Sequence, residues 1–94
     1  MLHKEIQRNI LHFSRHNDIQ SLLDLFNQEE ANFTFINIAT WFNRLGKLVS
    51  KRNYFKFKTI LSNAISTLPR YDFDSRAIAN ILNALAKWNI DIWP

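Results

Sequence analysis

The sequence resembles itself at a spacing of 40 residues, and this periodicity constrains the fold more than any other feature. When the chain is shifted by 40 positions, Asn32 to Leu48 aligns with Asp72 to Trp88. The identical pairs are Phe33/Phe73, Ile38/Ile78, Ala39/Ala79, Asn43/Asn83, Leu45/Leu85 and Lys47/Lys87. Self-similarity at a period of about 40 residues is typical of stacked helical hairpins. The sequence therefore predicts a stack of similar helical units.

A weaker third copy lies upstream, at a shift of 32 residues. It is formed by Ile6, Ile10, Phe13, Ser14 and Arg15, which align with Ile38, Phe42, Leu45, Gly46 and Lys47. The small residue in this pattern, which is Ser14, Gly46 or Ala86, is interpreted as a packing notch that lets a neighbouring helix approach closely. The alternative is that Gly46 marks an early end of its helix.

The composition favours a single all-helical domain spanning residues 1–94. Hydrophobic residues make up 47% of the chain, which excludes a disordered polypeptide. One glycine and two prolines offer little material for hairpin turns, and the apolar residues recur at spacings of three and four rather than two. No strand is predicted, and the alternation of Phe and Lys over residues 55–58 is interpreted as part of a helix.

Five helices follow from the apolar spacing and the capping residues. The first runs from Leu2 or His3 to Arg15, and Asn17 is predicted to cap the second, with Gln20 in the capping-box position. Thr34 and Asp74 are predicted to cap the third and fifth helices. The fourth is predicted from the apolar residues Phe57, Ile60, Leu61, Ala64, Ile65 and Leu68, and ends before Pro69.

The two similar helix starts each carry a predicted hydrophobic staple. Phe33 and Phe73 precede the caps, and Ile38 and Ile78 lie four residues inside the helices. The fold class is predicted to be a right-handed α-solenoid of about two and a half hairpins. Its repeat copies are roughly residues 1–16 (a half copy), 17–49 and 53–88, and residues 89–94 are a tail or the start of a further repeat.

The stretch IANILNALAKW, preceded by Phe73, resembles paired-helix repeats of the octotricopeptide and heptatricopeptide type. Such repeats occur in organelle RNA-processing factors and FAST-kinase-like mitochondrial proteins, and related repeats occur in intracellular bacteria such as Legionella and Coxiella. The organelle members imply RNA binding along a concave surface. The bacterial members imply protein contacts in a host cell equally well.

Charge is distributed very unevenly, and residues 35–70 carry seven basic residues and no carboxylate. A positive electrostatic field that no carboxylate interrupts attracts polyanions or an acidic protein surface. The predicted binding residues are Arg44, Lys47, Lys51, Arg52, Lys56, Lys58 and Lys87, together with the repeated amides Asn43 and Asn83. The competing interpretation is a solvated face, in which Lys47, Lys51 and Lys87 complement helix C-termini.

Aromatic and amide side chains also have two interpretations. Trp41, Trp88 and Trp93 are expected to pack, with base stacking as the alternative. Asn43 and Asn83 either read a ligand at one-repeat spacing or bond to backbone between helices. The apolar tail residues Trp88, Ile90, Ile92 and Trp93 are a candidate surface for homo-oligomerisation.

No catalytic residue, metal site or cofactor is predicted. His12 and His16 are spaced like a helical metal pair, but no third ligand stands at a suitable spacing. The paired carboxylates Glu29/Glu30 and Asp72/Asp74 belong to an exposed helix and a helix cap.

The leading hypothesis is therefore a non-enzymatic module that binds RNA with little base specificity. The alternative is a scaffold or secreted bacterial effector that binds an acidic protein. Without a signal peptide or an apolar span, the chain is expected in the cytoplasm or translocated into a host cell, with no membrane partner.

Overall fold

In the computed structural model, which describes residues 1–90, every regular element is helical, as the sequence predicts. The α-helices are α1 (His3–Arg15), α2 (Ile19–Glu29), α3 (Phe35–Leu48), α4 (Lys51–Tyr54), α5 (Lys58–Thr67) and α6 (Ser75–Lys87). Short 3₁₀ turns occupy Glu30–Asn32, Phe55–Phe57 and Leu68–Arg70. Among the described residues, no helix has both the length and the apolar character needed to cross a membrane.

The predicted fourth helix corresponds to α5, and the short helix α4 before it was not predicted. Ser50 begins α4 by accepting a hydrogen bond from the backbone N–H of Asn53 at 3.1 Å. Since α4 buries none of its residues, it has no apolar stripe for a periodicity analysis to detect. With the 3₁₀ turn between them, α4 and α5 make residues 51–67 almost continuously helical.

Helix α3 lies at the centre of the fold. It packs most extensively against α6 and next against α1, while α2 packs mainly against α1. Trp41 and Phe42 of α3 are fully buried, and the Trp41 indole N–H donates to the Leu22 carbonyl of α2 at 2.8 Å. This hydrogen bond satisfies the only polar atom of the Trp41 side chain, so the predicted packing role of Trp41 is confirmed.

The predicted caps of the two similar helices are both confirmed. The Thr34 hydroxyl accepts from the Asn37 N–H at 3.2 Å, and the Asp74 carboxylate accepts from the Ala77 N–H at 2.8 Å. At α3 the capping box is completed by Asn37, whose amide oxygen accepts from the Thr34 N–H at 3.0 Å. The sequence analysis did not identify this role of Asn37.

Asn37 also joins α3 to α1. Its side chain is only 2% exposed, and its amide nitrogen donates to the His3 carbonyl at 3.1 Å and to the Gln7 side chain at 3.0 Å. Gln7 in turn donates to the Thr40 hydroxyl at 2.9 Å. The buried amide therefore has partners for both its donors and its acceptor, as a buried polar group requires.

Replacing Asn37 with alanine is expected to lower the free energy of unfolding by about 2 kcal/mol, because partly buried donors and acceptors in α1 and at the α3 cap lose their partner. Urea denaturation followed by circular dichroism would measure this. Asn43→Ala is the matched control, since Asn43 lies in the same helix, is half-exposed and makes no side-chain hydrogen bond within residues 1–90. Equal losses for the two variants would contradict the role assigned to Asn37.

The predicted cap of α2 was wrong by one residue. Asn17 has φ of 54° and ends α1 rather than beginning α2. Asp18 is the cap: its carboxylate accepts from the Ser21 N–H at 3.1 Å and from the Ser21 hydroxyl at 2.7 Å. These hydrogen bonds lower the pKa of Asp18. Gln20 takes no part in a capping box and instead donates to Asp24 at 2.9 Å.

Helices α1 and α6 end in the same way. The N–H of Asp18 donates to the Phe13 carbonyl and the N–H of Ile90 donates to the Leu85 carbonyl, each at 2.9 Å. In both cases an asparagine in the left-handed conformation, Asn17 or Asn89, sits just past the helix. This is the Schellman arrangement, and asparagine tolerates it better than most residues do.

The packing notch is confirmed at Gly46 and wrong at Ala86. Gly46 lies inside α3, which excludes the early helix end, and a Cβ atom there would stand 2.9 Å from the Cβ of Ala84 in α6. Ala86 occupies the same repeat position but is exposed. Ser14 is half-buried and its hydroxyl donates to the Leu11 carbonyl. Of the two most similar copies, only α3, which packs against the later helix α6, uses the notch.

The staple residues differ between the two copies for a similar reason. Phe33 and Ile38 are both buried, and Phe33 makes an edge-on contact with Phe26 at a centroid distance of 5.6 Å. Phe73 is half-buried, whereas Ile78 is 44% exposed. Both residues line one apolar groove on α6, where no further helix of the described chain covers them.

Candidate functional site

The basic residues that follow α3 form one helical face around an aromatic side chain. Lys51 and Arg52 precede Phe55 by four and three residues, and Lys58 follows it by three. Residues three and four apart are surface neighbours on a helix. Residues 51–54 are α-helical and residues 55–57 form a 3₁₀ turn before α5 begins at Lys58, so this spacing places the three cations on the side of the segment that bears Phe55. We call this surface, Phe55 with Lys51, Arg52 and Lys58, the Phe55 face.

The Phe55 face is open to solvent. Phe55 is 79% exposed, which is the highest value among the large hydrophobic side chains of the described residues. The Lys58 ammonium lies 5.2 Å from the centroid of the Phe55 ring, within cation–π range. Lys51, Arg52 and Lys58 are exposed, and none of them forms an ion pair with a carboxylate of residues 1–90. The face thus combines positive charge with an accessible aromatic ring.

Neighbouring aromatic residues explain why the ring of Phe55 faces outward. The Tyr54 ring stacks on Trp88 with a centroid distance of 5.7 Å, and the half-buried Phe57 packs against the core. These contacts fix the rotation of the helical segment about its axis. Phe55, one residue after Tyr54, is directed away from the core. The sequence analysis did not single out Phe55, although its neighbours at three- and four-residue spacing were visible in the sequence.

Lys47 and Lys87 lie at one end of the molecule, near the start of α4. Both are exposed and both occupy the last turn of a helix, α3 and α6 respectively. The two helix ends are adjacent, because the Trp88 indole N–H donates to the Val49 carbonyl at 2.8 Å. Lysines in a last turn also complement the helix dipole. These two positions therefore have a structural explanation in addition to a binding one.

Three other basic residues of the 35–70 stretch are not part of the Phe55 face. Lys56 lines a groove between α2 and α5, and its ammonium lies 5.8 Å from the Phe57 ring. Arg44 is half-buried, and its Nε is buried with no hydrogen-bond acceptor among the described residues. Arg70 pairs with Glu30 at 3.0 Å. Residues 35–70 contain no acidic residue, but the positive charge at their C-terminal end, on Arg70, is neutralised by Glu30 in the folded chain.

The Arg70–Glu30 pair borders a cleft that also contains Tyr71. Burial raises the pKa of the Tyr71 phenol, and the negative charge of Glu30 acts in the same direction. The phenol stays protonated and uncharged at neutral pH. This cleft, of about 390 Å³, shares no residue with the Phe55 face and supplies no group suited to holding a phosphate other than Arg70, which is already paired.

The repeated asparagines lie at the surface. Asn43 is half-buried and Asn83 is exposed, and neither side chain hydrogen bonds within residues 1–90. The structure therefore gives no backbone partner to either amide. The binding interpretation of these two residues stays a prediction.

Trp88 belongs to the core rather than to an association tail. It is 3% exposed and bonded to the Val49 carbonyl. Ile90 is half-buried and closes the C-terminal turn of α6. The other two predicted tail residues, Ile92 and Trp93, lie outside the described residues.

The histidine pair and the paired carboxylates were considered in the sequence analysis but not predicted as sites. The His12 and His16 rings lie 4.6 Å apart, and residues 1–90 contain no cluster of three or more groups able to hold a metal ion. Asp74 is engaged as a helix cap, and Glu29 pairs with the N-terminal ammonium group at 3.0 Å.

An apolar groove of about 460 Å³ runs between the end of α5 and the outer face of α6. It is lined by Ile65, Leu68, Pro69, Tyr71, Phe73, Ile78, Ile81 and Leu82. The groove and the Phe55 face are the two most distinctive surfaces of the described residues.

Comparison with known proteins leaves the site to be interpreted from its own chemistry. No family model matches the sequence, and no similar protein was found among the curated proteins or the solved structures.

Proposed function

We propose that this chain is a non-enzymatic helical-repeat module that holds RNA by its phosphates, with little selectivity for the bases. One observation carries the proposal. Lys51, Arg52 and Lys58 are exposed on the same helical face, in a stretch of sequence that contains no carboxylate. A one-signed cluster of flexible cations is the electrostatic footprint of a phosphate-binding surface. Lys47 and Lys87 extend this positive surface at the end of the molecule where α3 and α6 terminate.

The proposed architecture is the right-handed α-solenoid, with repeats similar to those of the octotricopeptide type. Two features support it. The equivalent helices α1, α3 and α6 pack in series, with α3 in the middle. The other two helices, α2 and α5, border a common groove through Leu23 and Ile60. Such stacking places the ends of successive helices along one edge, as the adjacent ends of α3 and α6 illustrate.

The alternative function is a protein-interaction scaffold that binds an acidic partner. The apolar groove beside α6, with Ile78 exposed at its edge, favours this alternative. A protein partner can cover apolar surface as well as neutralise charge, whereas phosphates can only do the latter.

The RNA proposal is tested by titrating single-stranded RNA at increasing salt concentration and following fluorescence anisotropy. If the three cations of the Phe55 face each neutralise one phosphate, the log–log slope of affinity against salt is expected to be about −2. Replacing both Lys51 and Lys58 with glutamate is expected to abolish measurable binding at physiological salt, because two attractive contacts become repulsive.

The matched control is Lys4→Glu with Arg8→Glu. It makes the same change in net charge on exposed residues of α1 that are not part of the Phe55 face. If both double variants weaken binding equally, binding reflects net charge alone and the assigned surface is wrong. If the unaltered protein binds no RNA even at low salt, the RNA proposal fails and the acidic-partner alternative takes its place.

A further inference from the structure

We infer that Phe55 is a stacking platform for an unpaired base, and that the RNA held by this chain is therefore single-stranded. This inference rests on the proposed function and adds to it a ligand class and an aromatic contact. It begins from the exposure of Phe55, which is 79%, although the adjacent aromatic residues Tyr54 and Phe57 are at least partly buried.

The packing of the segment gives Phe55 no structural task within residues 1–90. Tyr54 is held by Trp88, and Phe57 contacts the core, so the segment is anchored on both sides of Phe55 without its help. Single exposed hydrophobic residues are common on protein surfaces and by themselves indicate nothing. The distinguishing feature here is the set of cations at the three- and four-residue positions around the ring.

The geometry suits a nucleotide, which has both a flat apolar base and a charged phosphate. An exposed ring can receive the face of a base, while Lys51, Arg52 and Lys58 lie within one helical turn and can reach the phosphates on either side. Lys58 already lies 5.2 Å from the ring centroid, so the aromatic and the cationic groups occupy one surface patch. Inside a duplex both faces of each base are covered by neighbouring base pairs, and only the terminal pairs leave one face open, so an unpaired base is the ligand that suits this platform.

The test is the binding of three RNAs of equal length, measured for the full chain and for Phe55→Ala. The RNAs are oligouridylate, a duplex whose two ends are capped by non-nucleotide linkers, and a strand in which the bases are replaced by abasic nucleotides. The alanine variant is expected to bind oligouridylate at least about fivefold more weakly, as base–aromatic stacking requires, while its affinity for the duplex and the abasic strand is unchanged. Phe55→Trp is expected to restore binding to oligouridylate.

Two controls separate a stacking role from a structural one. Ile36→Ala removes another exposed hydrophobic side chain, 53% exposed at the opposite end of α3 from Lys47, and is expected to leave all three affinities unchanged. Circular dichroism is expected to show the same fold for Phe55→Ala as for the unaltered chain. An equal loss on all three RNAs, or no loss on any of them, would overturn the inference while leaving phosphate binding intact.

Failure of the proposed function gives a different result. If the unaltered chain binds none of the three RNAs at low salt, the proposed function itself is wrong, and this inference with it. A membrane is the other polyanionic surface that a basic, aromatic patch can recognise. Binding to vesicles of anionic phospholipid, compared with vesicles of neutral phospholipid, tests for this ligand. If Phe55→Ala weakens binding to anionic vesicles but not to oligouridylate, Phe55 serves a membrane surface and the inference is overturned.

Discussion

Replacing Trp88 with alanine is expected to lower the free energy of unfolding by about 3–5 kcal/mol, the usual cost of removing a large buried aromatic side chain. Trp88 is 3% exposed, stacks on Tyr54 and donates to the Val49 carbonyl at 2.8 Å. A domain of this length has a total stability of roughly 5–14 kcal/mol. The variant is therefore expected to be largely unfolded well below the melting temperature of the unaltered protein.

The contribution of the hydrogen bond can be separated from that of the ring. Trp88→Phe keeps most of the apolar volume but leaves the Val49 carbonyl without its donor, and is expected to cost about 1–3 kcal/mol. Guanidinium denaturation monitored by circular dichroism would measure both variants. Phe55→Ala is the control, since it removes an exposed aromatic side chain next to Tyr54, the stacking partner of Trp88, and is expected to change stability by less than about 0.5 kcal/mol.

The Trp88→Ala variant also distinguishes a core role for Trp88 from a role in contacts between copies of the chain. If it mediated contacts between copies, Trp88→Ala would lower the molecular mass in solution without unfolding the chain. A stable, folded variant would contradict the packing role described above.

The helices could be predicted because their apolar spacing is a direct consequence of burial. Ile6 and Ile10, predicted on one face of α1, are both fully buried. The caps at Thr34 and Asp74 were predicted because the repeat places each of them between a phenylalanine and an isoleucine at the spacing of a hydrophobic staple. The cap of α2 was misplaced because Asn17 and Asp18 are adjacent and both are able to cap. The choice between them depends on how α1 ends, because Asn17 takes the left-handed conformation that closes that turn.

The candidate site could be predicted in part. The positive charge of residues 35–70 is a property of the sequence, but its arrangement depends on contacts between distant residues. Arg70 is neutralised by Glu30, 40 residues earlier in the chain. The rotation that exposes Phe55 is fixed by the contact between Tyr54 and Trp88. Sequence spacing alone could not have identified Glu30 as the partner of Arg70, or Trp88 as the partner of Tyr54.

The repeat shows that identical residues need not have identical environments. Ile38 is fully buried and Ile78 is 44% exposed, although both occupy the same position of the pattern. A helix in the middle of a stack is covered on both sides, whereas the last described helix is covered on one. The alignment therefore predicted a helix at both places correctly but could not predict which copies bury each position.

The same difference between copies gives a sharp test at Gly46. Gly46→Leu is expected to lower the free energy of unfolding by about 3 kcal/mol or more, at the upper end of the cost of overpacking a core. A Cβ at this position already stands 2.9 Å from the Cβ and 3.0 Å from the Cα of Ala84, so even alanine forces α3 and α6 apart. For Gly46→Ala, the gain of about 0.5–1 kcal/mol from helix propensity is expected to be outweighed by this clash.

Ala86→Leu is the matched control, because it enlarges the residue at the equivalent repeat position of α6, where the side chain is exposed. It is expected to change stability by less than about 0.5 kcal/mol. Combining Gly46→Ala with Ala84→Gly removes one of the two colliding Cβ atoms, so the pair is expected to be more stable than the sum of the single changes predicts. Equal effects of Gly46→Leu and Ala86→Leu in chemical denaturation would show that α3 and α6 are not in close contact at Gly46.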